Sequence, residues 1–350
     1  MLKIGPWAFD FPVIQAALSG YSDAPMRLIA RRFGAPYALH EVMLDKSIAQ
    51  SEKARQKLLG ALLPEDHPVG GQLMGAEPGH FALAATFLVE RGYDVVDINF
   101  GCPVKKVLGR QRGGFLMSDP AMAIEIMRAV RQAVSPQVPV TLKLRRGIDD
   151  SPESEVKFFR IFDAAWELGL AAVTVHPRTV QQRYMGVSDW KFLARVKRYA
   201  GERTVIGSGD LFSADAVKRM LEQTGVDGVS LARGCIGNPW IFRDARAILS
   251  GQPLPDPPSV PEQGRVIREH LALLIAAHGE RLAARLLRKF GIKYAELHAQ
   301  PRDVRAAFIG ALKYAETLDV LGRWYDPGRA WPPGRRKTEP GGLIAAGAHQ

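Results

Sequence analysis

The feature that most constrains this chain is a rhythm. Short apolar runs of four to seven residues alternate with longer segments of helical periodicity. We read strands at residues 12–17, 38–42, 68–74, 95–99, 138–143, 171–176, 204–207 and 228–232. Several of these runs are apolar nearly throughout, the pattern of a strand buried on both faces, and such strands lie parallel with helices packed outside them. Eight of them in roughly 240 residues predict a (β/α)8 TIM barrel. An open doubly wound sheet is the alternative, but no Gly-x-Gly-x-x-Gly follows the first strand to support it.

The rhythm stops at a Pro-rich stretch, Gly251-Gln252-Pro253-Leu254-Pro255-Asp256-Pro257-Pro258. The expected division is therefore a barrel over 1–250, a linker over 251–261, and a small all-α bundle over 262–325. Helices are expected there at 262–278, 280–298 and 301–318. Residues 326–350 turn Pro-, Gly- and Arg-rich and read as a disordered tail.

Hydrophobic residues make up 47% of the chain, enough for a real core, yet no apolar run reaches the length of a membrane span. The N-terminus has no signal-peptide pattern, so the cytoplasm is the expected location. The two cysteines, Cys102 and Cys235, lack CxxC spacing, which argues against a disulfide framework or a metal site. Charge is more telling. The net charge is +11, and from residue 240 onward 17 Lys/Arg stand against 11 Asp/Glu. A basic surplus gathered at one end points to an anionic partner, with nucleic acid first.

Function on a barrel comes from the C-terminal ends of the strands. There the sequence places Gln72, Asn99 with Cys102, Lys143, His176, and two glycine loops at Gly207-Ser208-Gly209-Asp210 and Ala232-Arg233-Gly234. Asn99-Phe100-Gly101-Cys102-Pro103 carries a thiol on a stiff loop, placed either for chemistry or merely as a small buried hydrophobe. Lys143 ends an apolar strand; it either meets an acceptor-rich partner or snorkels to water. His176 alone reads first as a core histidine, and Gln72 offers an amide edge that by itself says little. The loops after the seventh and eighth strands form the usual phosphate site of a barrel, although each read singly is an ordinary turn. Together these residues describe a barrel that holds a phosphorylated ligand beneath a cysteine.

Asp97-Ile98-Asn99-Phe100-Gly101-Cys102-Pro103 resembles the Asn-x-Gly-Cys-Pro signature of the tRNA-dihydrouridine synthases. Lys143 with Arg145, His176 with Arg178-Thr179, Ser208-Gly209-Asp210, Ala232-Arg233 and Gly237-Asn238-Pro239-Trp240 follow in that family's order, up to about residue 320, nearest to its bacterial B branch. The resemblance implies an FMN-binding TIM barrel followed by a helical domain that grips tRNA. It implies that Ala16, Ala17, Leu18, Gln72, Lys143 and His176 contact the flavin ring, and that Ser208, Gly209, Asp210, Ala232 and Arg233 hold its phosphate. It also implies Cys102 as general acid, with NADPH as reductant and the C5–C6 double bond of a tRNA uridine as substrate. Hydride from flavin N5 would go to C6 and a proton from Cys102 to C5.

Asn99, Arg145 and Arg178 are the expected substrate contacts in the barrel. On the helical domain Arg281, Arg285, Arg288 and Lys289 fall on one helical face, a stripe suited to RNA phosphates. The family's Ala-Pro-Met at the first strand end is Ala16-Ala17-Leu18 here, its Asn-Gly-Asp is Ser208-Gly209-Asp210, and its Gly-Arg is Ala232-Arg233. A monomer without metal is expected. A flavin barrel reducing a small molecule, like dihydroorotate dehydrogenase, is the alternative enzyme, and a non-catalytic RNA-binding barrel is a further one.

Overall fold

A computed structural model describes residues 1–52, 55–56 and 62–337. The chain opens with two three-residue strands, β1 (Leu2–Ile4) and β2 (Trp7–Phe9), paired as an antiparallel hairpin. The barrel strands follow: β3 (Val13–Gln15), β4 (Ala38–Leu39), β5 (Met43–Leu44), β6 (Val69–Met74), β7 (Val95–Phe100), β8 (Val140–Arg145), β9 (Ala172–His176), β10 (Val205–Gly207) and β11 (Gly228–Leu231). Their order is β4-β3-β11-β10-β9-β8-β7-β6-β5, and β4 also pairs with β6, which closes the ring. All these pairings are parallel.

There are eight staves because β4 and β5 are two pieces of one. Ala38 faces Val69 but Met43 faces Leu73, so the second stave carries one more residue than its partner between those points. That is a bulge, a device common at barrel rims beside functional sites.

Helices cover the outside: α1 (Ala24–Arg32), α2 (Asp45–Gln50), α3 (Pro78–Glu90), α4 (Lys105–Leu108), α5 (Pro120–Ala133), α6 (Pro152–Glu167), α7 (Trp190–Ala200), α8 (Ala214–Thr224) and α9 (Trp240–Leu249). Asp23 caps α1: its carboxylate accepts the Met26 N–H at 3.1 Å. Its neighbour Ser22 closes the preceding turn, accepting from the Leu18 N–H at 2.8 Å.

Side chains alternate along each strand. Val96, Ile98, Leu142 and Val173 join the core shared with the helices. Ile14, Leu39, Val95, Ala172 and Ile206 form a separate apolar cluster with Leu2, Ile4 and Phe9 of the hairpin. The hairpin therefore plugs the N-terminal end of the barrel, and the polar inward positions lie above this plug.

Beyond residue 259 the chain is helical: α10 (Val260–His278), α11 (Glu280–Tyr294), α12 (Pro301–Gly310) and α13 (Tyr314–Trp324). The expected helix at 280–298 ends four residues early, in a 3-10 turn over Ala295–Leu297. The expected helix at 301–318 is two helices. The Glu316 carboxylate accepts the N–H groups of Leu312 (2.7 Å) and Lys313 (3.0 Å), which starts a new helix there.

The Pro-rich stretch does not separate two cores. Trp240 packs edge-on against Phe33 and Tyr294 and donates to Glu262 at 2.6 Å, and one apolar cluster runs from barrel to bundle.

Residues 326–337, where the sequence led us to expect disorder, are bound to the rest. The Arg335 N–H donates to Leu297 at 2.8 Å, Arg336 pairs with Asp244 at 2.9 Å, and Lys337 pairs with Glu296 at 3.2 Å. Specific partners for three successive basic residues outweigh a composition that favours disorder. The rest of the expected tail, 338–350, lies outside the described residues.

Candidate active site

The inward face of β7 carries Asp97 and Asn99, and register sets Gln72 of β6 and Thr141 of β8 on either side of Asp97. These four side chains form one hydrogen-bonded chain. Thr141 Oγ1 donates to Asp97 at 2.5 Å, Gln72 Nε2 donates to its other oxygen at 2.7 Å, and Asn99 Nδ2 donates to Gln72 Oε1 at 2.7 Å. Asn99 Oδ1 accepts the backbone N–H groups of Gly101 (2.9 Å) and Cys102 (3.1 Å). Each amide has a single orientation that satisfies the set. A carboxylate at the centre of the barrel thus fixes, through two amides, the loop that carries the thiol.

The cysteine loop is held from two further sides. Arg145 Nε donates to the Gly101 carbonyl at 2.8 Å, and the Gly114 N–H donates to the Cys102 carbonyl at 3.0 Å. Gly113 has φ +57°, and a Cβ there would come within 2.9 Å of Cys102 Cβ, so glycine is required for the close approach. Cys102 is partly buried. Burial pushes its thiol above the ordinary range, with the Val104 N–H and Arg145 pulling the other way. A thiol kept protonated is an acid rather than a nucleophile.

Asn99 pairs in register with Lys143, and Arg145 with His176. The Lys143 ammonium has no hydrogen-bond partner among the described residues. Burial, then Arg145, lowers its pKa to about 8, against the attraction of Asp97. His176 is pushed well below the ordinary range by burial and by Arg145, Lys143, Arg178 and Arg233. Its Nδ1 accepts the Arg178 N–H at 3.2 Å, so the neutral ring carries its proton on Nε2. The barrel mouth therefore offers two donors, an ammonium and an imidazole N–H.

At the next rim position, Ser208 is buried and spends its amide and hydroxyl on the Val175 carbonyl, at 3.1 and 3.2 Å. The amides of Gly209 and Asp210 have no acceptor among the described residues. Gly209 has φ +109°, and a Cβ would sit 2.5 Å from Ser188 Oγ. The Asp210 carboxylate is turned to Arg178 at 2.6 Å and lies 3.6 Å from Arg233. Arg233, on the 3-10 turn Arg233–Cys235 after β11, is half-exposed over the rings of Tyr184 (4.8 Å) and Phe212 (5.2 Å). Two unpaired amides and a guanidinium make a nest for an anion. Ala16 is buried at the end of β3, and Ala17 and Leu18 are partly buried where the loop begins.

Four expected substrate contacts have other employment, the first being Asn99, whose amide serves Gln72 and the cysteine loop. Arg145 is 3% exposed, and besides Gly101 it donates to the carbonyls of Thr179 and Arg183, both at 2.8 Å. Arg178 is 1% exposed and bonds Met185, Gly186 and Asp210, with only Nη1 left unpartnered. Lys289 turns inward: its ammonium donates to the Gly20 carbonyl and lies 5.0 Å over the Tyr21 ring. Buried guanidinium and ammonium groups need such partners, and the strand and helix patterns do not show where those partners lie. Arg281 and Arg285 remain exposed and Arg288 partly so, without an acidic partner among the described residues.

The sequence pattern by itself gives Asp97, Thr141 and Gly113 no role in the site. A single acid inside the otherwise apolar run Val95-Val96-Asp97-Ile98 was the available signal, since a buried carboxylate demands donors.

The family model for dihydrouridine synthase matches residues 14–321. The chain belongs to the dihydrouridine synthase family. A protein named tRNA-dihydrouridine synthase B from Pseudomonas aeruginosa is 36% identical over 310 residues, covering 88% of this chain and 91% of its own. A probable tRNA-dihydrouridine synthase from Mycobacterium tuberculosis is 34% identical, covering 91% and 82%. Among solved structures, TcOYE with pHBA aligns at TM-score 0.55 and 13% identity over 73% of this chain and 93% of that one. A 2-naphthoyl-CoA reductase complex aligns at TM-score 0.55 and 13% identity, over 72% and 52%. At such identity these two speak to the fold alone, which agrees with the barrel described above. Within the dihydrouridine synthase family, the Asn99–Cys102 loop and its polar relay are this chain's candidate catalytic centre.

Proposed function

We propose that this chain is a tRNA-dihydrouridine synthase that reduces the C5–C6 double bond of uridines in tRNA, with FMN as its flavin and NADPH as the reductant, acting as a cytoplasmic monomer. The observation that carries the reading is the relay from Thr141 through Asp97, Gln72 and Asn99 to the Cys102 loop, beside two unspent donors at the barrel mouth. The residues fit an FMN. Lys143 and the His176 Nε2–H suit the acceptor edge of an isoalloxazine ring. The amides of Gly209 and Asp210, Arg233, and the unpaired Arg178 Nη1 suit a phosphate. Bound flavin supplies the hydride that uracil C6 receives.

The protein's own part is acid catalysis and orientation. Addition of hydride at C6 builds negative charge at C5, and the protonated Cys102 thiol delivers a proton to C5. The thiol is held by its backbone, which Asn99 and Arg145 pin, so its aim does not depend on a free loop. The target base must leave its stack to enter the barrel mouth.

The test is dihydrouridine formed in unmodified tRNA with NADPH, beside Cys102→Ala. Product from the parent and a collapse in the variant support the reading. Equal product from both removes Cys102 as the acid. A flavin-loaded protein that leaves a full tRNA pool unmodified but reduces small enones replaces it with the small-molecule reductase.

A further inference from the structure

The C-terminal segment at 326–337 reaches one of the loops assigned above to the phosphate. Lys337 is 9% exposed, and its ammonium donates to the carbonyls of Arg233 (3.3 Å) and Ile236 (3.4 Å) while pairing with Glu296 of the helical region (3.2 Å). They belong to the first residue of the 3-10 turn Arg233–Cys235 and to the residue that follows it, and so short a turn has too few residues to satisfy its own carbonyls. The two residues before this contact are fixed as well. The Arg335 N–H holds the Leu297 carbonyl at 2.8 Å, and Arg336 bridges Asp244 and the Pro255 carbonyl. Further back, Trp331 lies 5.1 Å from the His298 ring and donates to the Asp326 carbonyl at 2.8 Å. Nothing but Lys337 joins tail, helical region and this turn through one charged group among the described residues.

We propose that Lys337 is a positioning residue of the flavin-phosphate site: its ammonium holds the Arg233 turn in its anion-binding shape and ties that turn to Glu296 of the helical region, so that the segment at 326–337 acts as a strap. This rests on the flavin reading above. A cation on two carbonyls draws their peptide planes to one side, which fixes the amides of the next residues and the direction in which the Arg233 side chain leaves the backbone. The Arg233 guanidinium, half-exposed over the rings of Tyr184 and Phe212 and 3.6 Å from the Asp210 carboxylate, is the group that would meet the anion.

The phosphate dependence of flavin binding separates positioning from mere support. Apo-protein is titrated with FMN and, separately, with riboflavin, which shares the ring but has no phosphate, and flavin fluorescence is followed. In Lys337→Met we expect the FMN dissociation constant to rise about tenfold, the size of one charge-assisted contact. Riboflavin affinity should stay within about twofold, well under one such contact. Lys337→Arg, which keeps a cation, should restore FMN binding. Lys337→Gln, a milder change to the fold, should fall between them. Unchanged FMN affinity in the Met and Gln variants, or an equal loss for both flavins, overturns the strap while leaving the enzyme reading intact. A parent that binds neither flavin overturns both.

Discussion

Asp97 is the residue on which the candidate site turns, because it is an acid with no route to water. Burial pushes its carboxyl up, and the hydrogen bonds from Thr141 and Gln72, then the charge of Lys143, pull it back. Asp97→Asn can keep both neighbours, taking the Gln72 donor on its oxygen and giving its amide to the Thr141 hydroxyl. Asp97→Leu strands two buried donors and should cost about 2–4 kcal/mol, with Asp97→Asn nearer 1 kcal/mol. Urea denaturation of the two variants decides this, and equal stability would show that the relay holds nothing. Lys143 gives a second measurement at the same scale. Its pKa is lowered from 10.5 to about 8, chiefly by burial. Between those values the unfolded chain holds a proton that the folded chain has lost, so stability rises with pH across that window. Apo Lys143→Met should therefore exceed the parent in stability at pH 7, with the gap narrowing above pH 8 and closing near 10.5. A pH-independent gap would mean that the ammonium reaches water.

At the scale of elements, the staves were legible because a strand buried on both faces writes itself as an unbroken apolar run, and seven were placed to within two residues at either end. What escaped were features whose cause lies elsewhere in the chain. The β1–β2 hairpin has only three residues per strand and owes its place to the open end of the barrel it fills. The second stave reads as one strand but is broken by a bulge that only the β6 register reveals. Site residues at strand ends were found for the same reason as the strands. The employment of Arg145 and Arg178 was not, since a basic residue after a strand looks alike whether its guanidinium meets a ligand or a carbonyl. That difference is measurable. Arg145 ties the cysteine loop to the loop after β9 through Gly101, Thr179 and Arg183. Arg145→Lys keeps the charge but cannot span three carbonyls. We expect kcat to fall about 10- to 100-fold, as small misplacements of a reacting group do, with KM for tRNA nearly unchanged. A rise in KM at constant kcat would restore Arg145 to substrate binding.

For the whole molecule the question is which of its positive charges meet RNA. The sequence grouped Arg281, Arg285, Arg288 and Lys289 as one stripe on helical spacing, and α11 divides them. Lys289 is a strut: it holds the Gly20 carbonyl of the loop after β3, while Glu41 accepts the Gly20 N–H at 2.6 Å, so the bundle is pinned to the barrel mouth there. Arg281 and Arg285 are exposed and Arg288 partly so, without an acidic partner among the described residues, which leaves them to neutralise phosphates. Ion release makes the distinction quantitative, because each phosphate contact adds roughly 0.7–0.9 to the slope of log affinity against log salt. Replacing Arg281, Arg285 and Arg288 together by alanine should flatten that slope by about 2, weaken tRNA binding at low salt, and leave flavin binding and thermal stability in place. Lys289→Ala should do the reverse: little change in the salt slope, and a loss of stability of about 1 kcal/mol or more from the unmet carbonyl and the loosened loop. If Lys289→Ala flattens the slope as the arginines do, its ammonium leaves Gly20 when RNA arrives, and the joint between bundle and barrel opens on binding.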